Sequence, residues 1–214
     1  MLSDGISLKC VRRAPCAVLT VGDKTYDVER IGKGRYTTAW RNGTDHVWLQ
    51  VHEKDLSKDA LCMAEANPHL PECESFGWFD GAAPYRLYRE PLYQPLNARS
   101  GKAWNDFKEL YRIFGEVRIS HTWGENKGVS QRTKEFNAKF EDAVQDTIYL
   151  SDSIKEAVRT LIYTAANCGD YGIEISKKNC AVGAKGQLIL LDPLFDRAEA
   201  EADYQRRVKR SRGY

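Results

Sequence analysis

Hydrophobic and polar positions alternate along the first hundred residues, which is the pattern of half-buried β-strands. The pairs Gly22-Asp23 and Asn42-Gly43 interrupt this alternation and favour tight turns, so we predict a hairpin around the first pair and the start of a strand after the second. One short helix is predicted over Ser57–Ala66, ahead of Asn67-Pro68. The predicted strands are Cys16–Val21, Lys24–Val28, His46–Val51 and Pro84–Glu90.

After Asn97 the apolar positions recur at steps of three and four, which predicts amphipathic helices. A second helix is predicted over Thr133–Ile148, and a third begins after Ser153, where Glu156 would complete a capping box. Two short strands are then predicted around the turn Gly183–Gly186. In the first helix after Asn97, the side chains expected to face the protein core are Trp104, Phe107, Leu110, Tyr111 and Phe114.

A strand-rich first part followed by a helical second part indicates the α+β class. We therefore predict two lobes, a strand-rich N-lobe over residues 1–91 and a helical C-lobe over residues 92–214. Because ligands commonly bind in clefts between lobes, a cleft is expected near residues 90–97.

The composition is that of a globular protein, with 42% hydrophobic and 29% charged residues among 214. No apolar run is long enough to span a bilayer, and the first residues lack the regions of a signal peptide, so we expect a cytoplasmic protein with no membrane partner. None of the six cysteines belongs to a CxxC unit. Reduced thiols are therefore expected rather than disulfides or a zinc site.

A net charge of +2 gives no overall field that would attract nucleic acid. The basic C-terminal segment, residues 206–212, concentrates positive charge near the end of the chain. It is interpreted as a solvated end, with contact to an acidic partner as the alternative. Nucleic acid is thus not an expected partner except through this segment.

The stretch Ile31–Trp40 contains the most informative motif, Gly32-Lys33-Gly34, between two predicted strands. Glycines there would let backbone N–H groups approach a phosphate closely. A hairpin after them, rather than a helix, argues against a dinucleotide-binding fold. Tight turns also produce such a motif, so by itself it leaves both interpretations open.

A second constellation comprises Glu174, Asn179 and Asp192 near the other end of the chain. Asn179 and Asp192 flank the predicted pair of short strands, so both are expected at one end of a hairpin. An amide and a carboxylate oxygen are suitable ligands for Mg²⁺. The alternative is that Asn179 caps a turn and Asp192 only precedes Pro193 in a loop.

An Asn, a hairpin and then an Asp resemble the catalytic loop and metal-binding segment of protein kinases, with Glu174 where the catalytic Asp belongs. The blocks Ile31–Trp40, Asn67–Leu96 and Tyr171–Phe195 resemble more closely the early serine/threonine protein kinase of short-tailed coliphages. The resemblance implies a bilobal protein-kinase-like fold with ATP and Mg²⁺ as cofactors. Gly32 and Gly34 would cover the phosphates, Asn179 and Asp192 would hold Mg²⁺, and the backbone at Arg89-Glu90-Pro91 would receive adenine.

Two positions depart from that family. Gln50 stands where the strand after the glycine loop should supply a lysine, and a neutral amide cannot offset phosphate charge. Glu174 replaces the catalytic Asp, and its longer side chain would meet a substrate hydroxyl in a shifted geometry. Lys33 is the candidate replacement for the missing lysine, and Asp170 is the candidate replacement for the catalytic Asp.

Together with these departures, the resemblance implies a pseudokinase or weak kinase that binds ATP and acts on a host protein in the bacterial cytoplasm. One alternative is an active serine/threonine phosphotransferase, or an ATP-dependent adenylyl or glutamyl transferase on the same fold. Another is a non-enzymatic interaction protein unrelated to kinases, with the basic C-terminal segment as its working surface. The helical segment 105–148 has no recognisable motif and is the expected surface for a partner.

Overall fold

The computed structural model describes residues 5–10, 15–81, 84–120, 129–168, 171–197, 201–202 and 206. The chain divides into two compact units, one made of Met1–Met63 and Pro71–Leu92, the other of Ala64–Leu70 and Tyr93–Tyr214. The first unit holds an antiparallel sheet and the second holds three long helices. The predicted α+β class is confirmed. Segment 64–70 groups with the second unit.

Within the described part of the first unit, seven antiparallel strands form one sheet. In chain order they are β1 (Ile6–Cys10), β2 (Cys16–Val21), β3 (Lys24–Lys33), β4 (Thr37–Asn42), β5 (His46–His52), β6 (Glu74–Trp78) and β7 (Tyr85–Pro91). Their spatial order is β1-β2-β3-β4-β5-β7-β6, and helix α1 (Ser57–Met63) follows β5 in the chain. The predicted turns are confirmed, with positive φ angles at Gly22 (60°) and Gly43 (68°) that favour glycine.

Apolar side chains cover both faces of this sheet, because successive residues of a strand point to opposite sides. One face, here called the Trp48 face, carries a cluster that includes Trp48 and Leu87. The other, the α1 face, carries Leu49 and Tyr88, with Cys62 of α1 packed against them. Buried apolar side chains therefore lie on both faces of the sheet.

A disulfide joins Cys62, near the end of α1, to Cys73, just before β6, with the two Cα atoms 5.0 Å apart. The expectation of reduced thiols is therefore wrong for this pair. The two cysteines lie eleven positions apart in the sequence, on either side of segment 64–70. Burial raises the pKa of the Cys180 thiol to about 12. The cysteines outside the disulfide are Cys10, Cys16, Cys168 and Cys180.

Three helices dominate the second unit: α2 (Gly101–Ser120), α3 (Val129–Asp146) and α4 (Asp152–Asn167). Phe140 is fully buried, and its ring centroid lies 5.7 Å from that of Phe114 on α2 and 6.5 Å from that of Phe136. Offset and edge-to-face rings at such distances add to the stabilisation that burial provides. None of the described helices combines the length and apolar character needed to cross a membrane.

The predicted aromatic stripe of α2 is only partly correct. Phe107 and Leu110 are buried as expected, but Tyr111 is 56% exposed. The buried face continues instead through Ile113, three residues after Leu110, and through Val117, four residues after Ile113. Tyr111 lies one residue beyond Leu110 and is rotated out of that face by the helical period.

The described residues of the second unit also form five short strands: β8 (Gln94–Pro95), β9 (Tyr171–Ile173), β10 (Cys180–Val182), β11 (Leu188–Leu190) and β12 (Leu194–Asp196). The first of them, β8, pairs with β10, and β10 pairs with β11. A separate two-stranded sheet pairs β9 with β12. The predicted strands on either side of Gly183–Gly186 are thus confirmed as an antiparallel hairpin.

A buried histidine contacts the first turn of α4, where the predicted capping box does not form. The helix begins at Asp152, and Ser151 at its N-cap makes no side-chain capping bond. The Ser153 hydroxyl lies 3.1 Å from Nε2 of His69. Nδ1 of His69 lies 2.7 Å from the Leu188 carbonyl oxygen, which can only accept, so Nδ1 carries the proton and Nε2 accepts from Ser153. His69 therefore ties segment 64–70 to α4 and β11.

We expect the free energy of unfolding to decrease as the pH drops below about 6.5, because His69 is buried in its neutral form. Desolvation lowers the pKa of His69, against smaller opposing effects of the Leu188 hydrogen bond and the Asp106 charge. The unfolded chain then binds a proton that the folded chain does not, so the stability present above the unfolded pKa is lost as the pH falls towards the folded value.

Urea unfolding at pH 7.5 and 5.5 should show this loss in the wild type, by up to about 1.4 kcal/mol, relative to a His69→Asn variant that cannot titrate. Equal losses in the two proteins would contradict the assignment.

Candidate functional site

The β10–β11 hairpin brings Asn179 and Asp192 to its open end. Asn179 directly precedes β10, and its carbonyl accepts a 2.9 Å hydrogen bond from the N–H of Leu191, directly before Asp192. At the closed end Gly183 N–H donates to the Gln187 carbonyl at 2.8 Å. Asn179 is half-buried and Asp192 is exposed, so both residues retain access to solvent.

Glu174 is joined to the same place by the second small sheet. Ile173 of β9 pairs with Leu194 of β12, and the Glu174 N–H donates to the Pro193 carbonyl at 2.7 Å. Leu191 and Pro193 are the two neighbours of Asp192 in the chain. The first is joined to Asn179 and the second to Glu174 by a backbone hydrogen bond. The structure therefore brings Glu174, Asn179 and Asp192 together within the second unit. Asp170 lies outside the described residues.

Two lysines near Glu174 were not singled out by the sequence. Lys178 Nζ lies 4.0 Å from a Glu174 carboxylate oxygen, in a pair whose side chains are 76% and 40% exposed. Lys177 Nζ lies 5.9 Å from the centre of the Trp104 ring on α2. An ion pair this exposed contributes little to stability, so Glu174 remains available to accept a proton or a hydrogen bond from a ligand.

Among the described residues no group of three or more His, Cys, Asp or Glu side chains is placed to hold a metal ion. The pair Asn179 and Asp192 supplies two hard oxygen donors, which suits Mg²⁺. That ion commonly binds through one or two protein oxygens and takes its remaining ligands from water and phosphate. The donor chemistry of this pair therefore fits magnesium held jointly with a nucleotide.

The glycine motif occupies the end of the β3–β4 hairpin in the first unit. Gly32 pairs with Ala39 across a bulge, and Gly34 N–H donates to the Thr37 carbonyl at 2.7 Å. Neither glycine has a positive φ, and an added Cβ would meet its nearest neighbour at 3.7 Å at Gly32 and 3.5 Å at Gly34, which are ordinary contacts. The local fold therefore does not require glycine at either position. Lys33 between them is exposed.

The structure places Gln50 on the Trp48 face of the sheet. Gln50 pairs with Thr38 and Leu87, whereas α1 packs on the opposite face. A buried cation lies on α1 instead: Lys58 Nζ is 2.9 Å from a carboxylate oxygen of Glu90 on β7, with side chains only 5% and 6% exposed. No sequence pattern indicated this pair, because its members lie 32 positions apart.

Glu90 therefore has a buried side chain in addition to the backbone role expected of it. Its strand partner on β5 is Val47, while the described pairing of β6 with β7 ends at Arg89. The Glu90 backbone thus has a strand partner on the β5 side only, among the described residues. An edge of this kind can hydrogen-bond a ligand.

No family model and no curated protein matches the chain. Among solved structures, one similar to it is the GDP and kanamycin complex of APH(2")-IIia, an aminoglycoside phosphotransferase of protein-kinase-like fold. The match has 11% sequence identity and a TM-score of 0.34, and it covers 79% of this chain and 68% of the other.

Proposed function

We propose that the protein is a kinase-like nucleotide-binding protein that holds ATP with Mg²⁺ and transfers phosphate weakly or not at all. The proposal rests on two backbone hydrogen bonds, one from Leu191 to Asn179 and one from Glu174 to Pro193. They bring Glu174, Asn179 and Asp192 close together in the second unit. This order of a carboxylate, an amide and a second carboxylate is that of the catalytic loop and metal-binding segment of kinases.

Each group has a distinct role in the proposed function. Asn179 and Asp192 would hold the metal, which when bound offsets phosphate charge. Glu174 would accept the proton of a substrate hydroxyl. Gly32 and Gly34 support a close approach of backbone to phosphate, since local structure gives no other reason for them. The Glu90 backbone would hydrogen-bond adenine.

The weakness of transfer rests on the two departures in sequence. Gln50 carries no charge, and its position on the Trp48 face gives it no part in a charged pair with α1. Glu174 extends its carboxylate further than an aspartate would, and an error near 1 Å in a reacting group can lower the rate about 100-fold. The proposed protein thus binds nucleotide better than it uses it.

A thermal-shift experiment with ATP and Mg²⁺ tests nucleotide binding. The melting temperature of the wild type should rise by several degrees in ATP with Mg²⁺, because at 100 times Kd a ligand stabilises by about 2.7 kcal/mol. ATP with EDTA should give a smaller rise. Asp192→Ala should lose the magnesium-dependent part, while the control Asp142→Ala, an exposed carboxylate on α3, should keep it. No shift in the wild type, or equal shifts in both variants, would refute the proposal.

Labelled ATP separates the proposed function from an active transferase. Incubation with γ-labelled ATP should leave little label on protein, and α-labelled ATP should leave none. Rapid γ-label transfer that is lost in Asp192→Ala would identify an active phosphotransferase. Transfer of α-label would identify an adenylyl transferase.

The finer part of the proposal concerns biological setting. The blocks that resemble the early kinase of short-tailed coliphages support a phage protein that acts on a host protein in the bacterial cytoplasm. Large apolar side chains exposed within segment 105–148, Tyr111, Ile119 and Ile148, support a partner surface there. The basic C-terminal segment lies almost wholly outside the described residues.

A further inference from the structure

A cavity of about 130 Å³ opens between α3 and α4 in the second unit, apart from the residues assigned to nucleotide. Tyr171, the first residue of β9, forms part of its wall. Ile162, Ala165 and Ala138 give it small apolar surfaces, and Lys134 and Glu141 supply charged groups. The space is narrow and largely apolar, unlike a nucleotide site.

Asn137 supplies the specific polar group of this cavity. The residue is 6% exposed, and its Nδ2 donates to the Tyr171 carbonyl oxygen at 3.2 Å. Because a carbonyl can only accept, this bond fixes the orientation of the amide and leaves Oδ1 as the remaining group. Oδ1 is buried and has no hydrogen-bond partner among the described residues. A buried acceptor of this kind favours any ligand that brings a donor.

The volume limits the size of that ligand. A cavity of about 150 Å³ lined by apolar side chains accommodates benzene, so this one accepts a single six-membered ring or an aliphatic body of similar size. The apolar wall suits such a body, and Asn137 Oδ1 suits one hydroxyl or N–H donor.

We propose that this cavity binds a small amphiphile, with an apolar body of one ring and a single donor that hydrogen-bonds Asn137 Oδ1. Phenol is the simplest member of this class. Toluene has nearly the same shape and lacks the donor, which makes it the matched comparison. The proposal does not depend on nucleotide binding.

Titration of the full-length protein with phenol and with toluene, followed by NMR chemical shifts of α3 and α4, tests the proposal. The wild type should bind phenol saturably. Asn137→Leu, which keeps the side-chain volume and removes the acceptor, should lower the ratio of toluene Kd to phenol Kd about tenfold. Ala138→Leu places a larger side chain on an exposed helical position that lines the cavity, and should abolish binding of both compounds.

Two results would overturn the proposal: no saturable phenol binding by the wild type, or the same toluene-to-phenol ratio in Asn137→Leu as in the wild type. If Asn137→Leu fails to fold, Ala138→Leu still decides whether binding occurs in the cavity, because unchanged phenol affinity in that variant would also overturn the proposal.

Discussion

Replacing Lys58 by methionine should lower the free energy of unfolding by about 3 to 5 kcal/mol, because it leaves the Glu90 carboxylate buried without its cation. The single substitution removes the attraction but keeps the cost of desolvating Glu90. Urea unfolding followed by circular dichroism measures the change. A loss below about 1 kcal/mol would be that of an exposed pair and would contradict the buried geometry.

The double variant Lys58→Met/Glu90→Leu provides the sharper comparison. Replacing both members of a buried ion pair by apolar residues is often neutral or stabilising, so the double variant should recover most of the loss. Arg41→Met is the matched control, since Arg41 pairs with Glu29 at 2.7 Å but both side chains are nearly half exposed. Its effect should stay below about 1 kcal/mol.

Replacing Phe140 by alanine should cost about 3 to 5 kcal/mol, because the substitution leaves a cavity in the aromatic cluster of α2 and α3. Phe140 is fully buried, and Phe114 and Phe136 lose their ring partner together. Hydrogen exchange of α3 amides, together with urea unfolding, would report the loss.

Tyr163→Ala on α4 is the control for this substitution, because Tyr163 is 71% exposed. Its effect should lie within about 0.5 kcal/mol of zero. Similar losses for the two substitutions would show that the Phe140 ring is not part of a packed core.

Features set by local sequence were predictable. The turns at Gly22 and Gly43 follow from residues that favour positive φ, and the hairpin that places Asn179 near Asp192 follows from two apolar runs around a glycine turn. The period of α2 predicted a buried face, but the stripe assigned from it wrongly included Tyr111, which is 56% exposed.

Features set by long-range pairing were not predictable. A single sequence does not show which face of a strand a residue occupies when both faces are apolar, so the position of Gln50 on the Trp48 face could not be foreseen. The partners Lys58 and Glu90, and likewise Asn137 and Tyr171, are more than thirty residues apart and meet only through tertiary packing. The role of each residue in nucleotide binding stays a prediction.

The membership of segment 64–70 in the second unit decides how the protein can be dissected. A fragment starting at Tyr93 would contain α2, α3 and α4 but not His69, and the Leu188 carbonyl and the Ser153 hydroxyl would lose their buried partner. The chain enters the second unit at Ala64, returns to the first at Pro71 and crosses again after Leu92. Truncation at the apparent boundary would therefore remove part of the scaffold beside the β10–β11 hairpin, so a fragment meant to keep the supports of the candidate site has to include segment 64–70.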